Sequence, residues 1–217
     1  MKNFPIFSLY VICDENAGKG RDIIDICKTA IEGGAKIIQL RLKNYSSRDL
    51  FKKALNLKKA LKDKDVLFII NDRPDIAIAV DADGVHLGPT DLPINAARKI
   101  LGKEKIIGAT VKNPIEAKEA EKEGANYVAA SHVFPTKTKI VPYPPIGIEG
   151  IKAIKEAVSI PVVAISGINK NNAKQVIEAG ADVIAVCSSV VSADDPKTAA
   201  KEIIQEIQKG KKKRDDY

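Results

Sequence analysis

"EGGAKIIQLR" (32–41), "EGANYVAAS" (123–131) and "EAGADVIAVCS" (178–188) are three versions of one short phrase. Each reads as the end of a helix, a turn built on glycine and alanine, and then an apolar strand. Glycine just past a helix closes it by adopting the left-handed conformation. The connection that follows is short, so the chain passes directly into the next strand. "DADGVHL" (81–87) is a looser copy.

Between the copies, segments 21–31, 47–61, 92–101, 114–123, 148–158, 171–179 and 196–208 carry apolar residues three or four apart. That spacing buries one face of a helix. A turn is expected over 74–80. Strands are expected at 7–12, 37–41, 67–70, 84–87, 105–110, 127–130, 162–165 and 183–187. Strands alternating with helices in this way indicate an α/β protein with a parallel sheet. The expected form is a single-domain (β/α)8 TIM barrel over 1–208, followed by a flexible basic tail, 209–217. An open doubly wound sheet fits the same alternation.

The bulk properties suit this form. A chain of 217 residues is near the size of such barrels, typically about 250 residues. With 45% hydrophobic and 29% charged residues it has the composition of a globular protein. No apolar run approaches the roughly 20 residues of a membrane span, and Asp14 and Glu15 cut the first apolar segment too short for a signal peptide. Cys13, Cys27 and Cys187 lack metal-ligand spacing and read as reduced thiols of a cytoplasmic protein. The net charge of +7 comes partly from Lys209, Lys211, Lys212, Lys213 and Arg214 in the tail. With no tryptophan and 5% aromatics there is little stacking surface for nucleic acid, so small phosphorylated molecules are the expected partners. Oligomeric state is not legible, because the outer helical faces show no patch distinct from core packing.

In a barrel of this kind the chemistry sits where strands end and helices begin. In "IIQLRLKN" (37–44) Gln39, Arg41 and Lys43 alternate with Leu40 and Leu42. Successive side chains of a strand face opposite sides. The leucines therefore turn to the helices and the polar residues to the mouth. Asp72 follows the third strand and Asp91 lies in the loop after the fourth. Neighbouring strands are about 4.8 Å apart, so both carboxylates can reach one Mg²⁺, a cation that keeps several waters. The alternative is that each caps the helix after it.

The connection "SHVFPTKTKIVPYPPIG" (131–147) is long for this fold and carries Thr136, Thr138 and Lys139. It reads as a lid with phosphate-seeking groups or as a wandering surface segment. "SGINKNN" (166–172) and "CSS" (187–189) follow the last two strands, where barrels commonly bind phosphate. Gly167 permits close backbone approach to a ligand. His86 is expected to pack or hydrogen-bond at the end of the fourth strand, and His132 to be solvated or, as the alternative, to lie near the site.

Taken in order, "QLRLK", "NDRPDIAIAVDADGVHLGPTDLP", "FPTKTK", "PPIGIEG", "PVVAISGI" and "AGADVIAVCSSV" resemble the thiamine phosphate synthase family over most of the chain. The resemblance implies a (β/α)8 transferase (EC 2.5.1.3) that joins hydroxymethylpyrimidine diphosphate to thiazole phosphate and releases pyrophosphate. It implies that Gln39, Arg41, Lys43, Asn71, Thr110 and Lys139 hold the pyrimidine diphosphate, with Arg41, Lys43 and Lys139 catalytic. By the same resemblance Asp72 and Asp91 bind Mg²⁺, and Thr136, Thr138, Gly167, Cys187 and Ser188 receive the thiazole phosphate. Thr110 stands where the family usually has serine, Lys112 where it commonly has histidine, Pro89 where glutamine is frequent, and Ser166 where a glycine is usual.

Two rivals share the barrel. A thiazole tautomerase-like isomerase would use a histidine after the fifth strand and lack the aspartate pair. A non-catalytic barrel that binds thiamine phosphate would need no metal beside a leaving group.

Overall fold

The computed structural model describes residues 3–136 and 143–215. Eight parallel strands close into a barrel in chain order: β1 (Ser8–Asp14), β2 (Ile37–Arg41), β3 (Leu67–Asn71), β4 (Gly84–Leu87), β5 (Ile106–Val111), β6 (Tyr127–Ala130), β7 (Val162–Ile165) and β8 (Val183–Val186). Between them run α1 (Ile23–Glu32), α2 (Ser47–Ala60), α3 (Pro74–Ala79), α4 (Ile94–Leu101), α5 (Pro114–Lys122), α6 (Gly147–Ala157) and α7 (Ala173–Glu178). After β8 come the short α8 (Ser188–Val191) and the long α9 (Pro196–Asp215). The closed sheet excludes the open doubly wound alternative.

The repeated phrase closes its helices as its sequence requires: Gly34, Gly124 and Gly180 all have positive φ. Strand alternation then separates two cores. Leu9, Val11, Ile38, Leu40 and Ile70 turn outward against the helices. Tyr10, Ile12, Ile37, Ile69, Tyr127, Val163 and Val183 fill the barrel. Burying each such side chain contributes about 1.5–3 kcal/mol, so the outer and inner layers both hold the barrel closed. Gly108 on β5 is required by the inner layer. A Cβ there would lie 1.9 Å from the ring of Tyr127 on the neighbouring strand. Phe4, ahead of β1, stacks on that ring at 4.6 Å.

Two local expectations are corrected. The segment expected as a turn at 74–80 is helix α3, with Pro74 in its first turn, where a missing N–H costs nothing. Residues 209–215, read from their charges as a flexible tail, are the last turns of α9. Arg214 Nη1 donates to the Ala181 carbonyl at 2.9 Å and its guanidinium lies 5.1 Å from the centre of the Phe7 ring. An arginine at a helix C-terminus also complements the negative end of the helix dipole.

Candidate active site

The mouth at the C-terminal ends of β1 to β4 gathers charge. Asp14 ends β1, is 4% exposed, and accepts a hydrogen bond from Arg41 at the end of β2. The register places these two residues opposite each other. Asp14 also accepts from the Asn16 amide at 2.9 Å, which starts a 3-10 turn and fixes the carboxylate. Arg41 is thus held by a buried partner, and removing one member of such a pair costs about 3–5 kcal/mol. Lys43, two residues on, pairs with Asp72 past β3.

Asp72 and Asp91 meet. Each carboxyl shifts the titration of the other, and Asp91 accepts from the Gly88 amide at 2.6 Å. Burial pushes the Asp72 carboxyl up, but Asp91 and the hydrogen bond from Lys43 outweigh it and hold Asp72 below the usual carboxylate range. Asp91 is raised, first by burial and then by Asp72, against the donation from Gly88. Neither residue caps a helix: the N-cap position of α3 is Arg73 and that of α4 is Pro93, and neither helix has a side-chain cap. The capping alternative is therefore excluded. Asp72 has φ of +63°, a conformation few non-glycine residues adopt, and its amide donates to the His86 carbonyl at 2.8 Å. The turn that aims this carboxylate is tied to β4 by backbone.

Below the charged rim a polar chain crosses the barrel. Gln39 is 1% exposed and its Nε2 donates to the Tyr10 hydroxyl at 2.5 Å. Tyr10 and Tyr127 hydroxyls lie 3.1 Å apart, Tyr127 is 3.0 Å from His86 Nδ1, and His86 Nε2 is 2.9 Å from Thr110 Oγ1. Gln39 and Thr110, two expected ligands, are thereby linked through three residues of other strands. His86 hydrogen-bonds near the end of β4, as expected.

The β6–β8 side of the mouth has a different character. The Phe134 amide donates to the Ser166 carbonyl at 3.2 Å, which ties the loop after β6 to the loop after β7. Gly167 has φ of +70°, and a Cβ there would lie 2.6 Å from that of Phe134 and 2.7 Å from the Pro135 carbonyl. Only glycine fits, and it brings the chain carrying Thr136 against this turn. Ser189 Oγ donates to the Ile168 carbonyl at 2.6 Å, tying the loops after β7 and β8 together. Cys187 precedes α8 and Ser188 begins it. The Cys187 thiol is pushed up to about 12, first by burial and then by the charge of Asp14, so it is a neutral lining group. Thr138 and Lys139 lie outside the described residues.

Other expectations fall out plainly. Asn71 ends β3 half-buried, opposite His86 in register. His132 was expected in solvent but is 4% exposed, 5.3 Å from the Tyr143 ring centre. Lys112 pairs with Glu116 at 3.2 Å and lies 5.3 Å from the centre of the Tyr143 ring. Sequence reasoning missed Asp14, Tyr10 and Tyr127. Asp14 carried the same signal as Asp72, a carboxylate closing an apolar strand. A hollow of about 570 Å³ lies at the opposite end, among Phe7, Ser8, Lys36, Asp65 and Gln208. It holds an exposed Lys36–Asp65 pair at 2.7 Å and no convergence of catalytic groups.

Among the described residues no group of three or more His, Cys, Asp and Glu gathers as for a protein cage. An oxygen-only pair such as Asp72 and Asp91 suits a hard cation that keeps water and substrate oxygens. A closed parallel barrel with paired cations and facing carboxylates at its strand C-termini has the form of a (β/α)8-barrel enzyme.

The family profile described as thiamine monophosphate synthase matches residues 9–190, and the chain belongs to that family. A thiamine-phosphate synthase of Clostridium novyi (strain NT) is 47% identical over 195 residues, covering 90% of this chain and 96% of the relative. The thiamine-phosphate synthase of Pyrococcus abyssi (strain GE5 / Orsay) is 48% identical over 202 residues, covering 92% and 95%. The solved thiamine phosphate pyrophosphorylase from Pyrococcus furiosus superposes with a TM-score of 0.85 at 44% identity, covering 94% of this chain and 96% of that one. The protein accordingly stands among the transferases of this family.

Proposed function

We propose that the protein joins 4-amino-2-methyl-5-hydroxymethylpyrimidine diphosphate to 4-methyl-5-(2-phosphoethyl)thiazole, forming thiamine phosphate and releasing pyrophosphate. The observation that carries this reading is the meeting of Lys43, Asp72 and Asp91 beside the Asp14–Arg41 pair, across the mouth from the Gly167 and Ser188 loops. One side suits a diphosphate and the other a monophosphate.

Asp72 and Asp91 are assigned to Mg²⁺. The fit rests on their donor set and on Lys43, whose ammonium already lies on Asp72 as a cation. When bound, Mg²⁺ neutralises charge that accumulates on a departing diphosphate. Arg41, Lys43 and Lys139 serve the same leaving group, and charge stabilisation of this kind is commonly the largest catalytic effect. Arg41 approaches diphosphate oxygens without moving far, because Asp14 fixes it. Gln39, Asn71 and Thr110 are assigned to the pyrimidine diphosphate.

The pyrimidine C–O bond breaks with its electron pair going to pyrophosphate. The resulting pyrimidine-methyl cation is stabilised by the electron-rich ring. The thiazole nitrogen lone pair then forms the new C–N bond. Thr136, Thr138, Gly167, Cys187 and Ser188 hold the thiazole phosphate so that this nitrogen faces the cation. Such positioning converts an encounter into an effectively unimolecular step. No general base is required, which agrees with a mouth in which His86 is committed to Tyr127 and Thr110.

The reading places the protein in the cytoplasm, acting on small phosphorylated molecules without nucleic acid or membrane. Among the described residues no helix is long and apolar enough to cross a membrane. Against the tautomerase-like reading stand the aspartate pair and Lys112 in place of a histidine after β5. Against a passive binding barrel stands the cost of keeping two carboxylates together unless they serve a cation.

Purified protein mixed with both substrates, with Mg²⁺ or with EDTA, tests the proposal by thiochrome fluorescence of the product. Metal-dependent thiamine phosphate is expected. Absence of product with both substrates bound would contradict it.

A further inference from the structure

Cys13 and Cys27 face each other across the interface between β1 and α1. Alternate residues of β1 turn outward, so Cys13 joins Leu9 and Val11 in the layer against the helices. On α1, Cys27 lies one turn after Ile23 and shares its buried face with Ile26 and Ala30. Both thiols are free, both residues are 0% exposed, and their sulfurs lie 2.8 Å apart. Small buried cysteines often serve only to fill a core. Filling does not require two sulfurs aimed at one another from two different elements. This pair stands about 0.8 Å from the 2.03–2.05 Å separation of a disulfide.

The elements that carry the pair are fixed from other directions. β1 is paired on both sides, to β2 and to β8. The first turn of α1 is capped by Asp22, whose carboxylate accepts from the Ile24 amide at 2.6 Å. The gap that remains is within reach of side-chain rotation. Between the two cysteines runs a connection with contacts at the mouth. It carries Asp14, the buried partner of Arg41, and Ala17, whose carbonyl accepts from Ser192 Oγ at 2.8 Å. Arg21 in the same connection donates to the Ala193 carbonyl at 2.8 Å.

We propose that Cys13 and Cys27 are an oxidation site, which hydrogen peroxide converts into a disulfide that staples α1 to the end of β1. One thiol takes an oxygen as the O–O bond breaks, giving a sulfenic acid and one water. The other thiol attacks that sulfur, the S–S bond forms, and the S–O bond breaks to release a second water. The two thiols together lose two protons and two electrons, which the peroxide takes up. Because the second thiol is already in contact, it captures the sulfenic acid before more oxygen adds. Cys13 is held well above the ordinary thiol value, first by its contact with Cys27 and then by burial. The first step is therefore slow and runs through local opening of the connection. In a reducing compartment the pair rests as thiols, and peroxide closes it. None of this depends on the reaction at the mouth.

The test treats the folded, full-length protein with hydrogen peroxide, alkylates it in denaturant, and maps its peptides by mass. The sequence has one methionine, so peroxide has few competing targets. A linked pair of peptides carrying Cys13 and Cys27, lighter by two hydrogens than its parts, is expected, with Cys187 outside the bond. Free Cys13 and Cys27 after prolonged treatment, sulfinic acid in place of the bond, or a bond from Cys13 to Cys187 would each overturn the proposal.

The staple also has a thermal signature. Closing 13–27 into a loop of about 15 residues restricts the unfolded chain, and the oxidised protein should melt about 5–10 °C above the reduced one. Cys27→Ser and Cys13→Ser should each abolish that difference. Two redox states of the same variant are compared, so a variant less stable throughout still reports. A wild-type Tm indifferent to the bond, or a Cys27→Ser protein that keeps the difference, would overturn the proposal.

Discussion

The two sides of the barrel mouth present different chemistry. On the β1–β4 side, charged side chains are locked in pairs: Arg41 on buried Asp14, and Lys43 on Asp72, which in turn meets Asp91. On the β6–β8 side the described groups are a glycine turn, hydroxyls and a neutral thiol, stitched by loop-to-loop hydrogen bonds. Fixed charges suit a group whose charge grows during the reaction, because they are in place before it develops. A monophosphate that only anchors its substrate needs shape and donors, and a movable cation there would add little to the chemistry.

The largest effect that could break this contrast is loss of the proposed metal pair. Asp72→Ala should reduce kcat by about a hundredfold or more and abolish the response to added Mg²⁺, as measured by product formation against metal concentration. Unchanged kinetics would remove Asp72 as a ligand. Asp14→Asn should reduce kcat/KM for the pyrimidine diphosphate by about tenfold, since Arg41 loses the charge that holds it. If thiazole phosphate use suffered as much, the pair would serve the whole mouth.

Thr136→Val sharpens the other side. It should raise KM for thiazole phosphate about tenfold or more, the value of one hydrogen bond to a charged group, with a smaller change for the pyrimidine diphosphate. Equal losses would assign this threonine to the wrong pocket.

These predictions also separate what was legible in the sequence from what was not. The barrel was legible because each Gly-Ala turn announces a strand, and because alternation in 37–43 tells mouth from helix layer. Asp72 and Asp91 were visible as carboxylates at strand ends, but whether they capped helices or faced each other depended on how their turns folded. The positive φ of Asp72 settles that through a backbone bond to β4, which no local pattern encodes. The Gln39–Thr110 chain was hidden because Tyr10 and Tyr127 are 117 residues apart and meet only when the barrel closes. Helix α3 was hidden because six residues are too few to display a period. The end of α9 was read from its charges, which do not reveal that Arg214 reaches the Ala181 carbonyl.

Smaller effects lie away from the mouth. Arg214→Ala should lower stability by about 1 kcal/mol, seen as a drop of roughly 2–4 °C in Tm, while kcat stays unchanged. A loss of turnover at equal stability would connect this distant helix end to the mouth. The smallest effect concerns Glu15, held below the usual glutamate range first by its hydrogen bond from Lys53 and then by that from Tyr45. A depressed folded value stabilises the protein above the unfolded value, and this is lost as pH falls through the folded one. Glu15→Gln should therefore flatten the acid limb of stability below the ordinary glutamate range, by less than about 1 kcal/mol because the pair is partly exposed. Identical acid limbs for both proteins would dismiss the linkage.

The contrast between the two sides is tested most directly by calorimetry of each substrate alone, with Mg²⁺ and with EDTA. Pyrimidine diphosphate affinity should fall at least tenfold in EDTA, while thiazole phosphate affinity should be unchanged. Equal metal dependence for both, or for neither, would contradict the proposed division of the mouth into a charged leaving-group side and an anchoring side whose described groups are neutral.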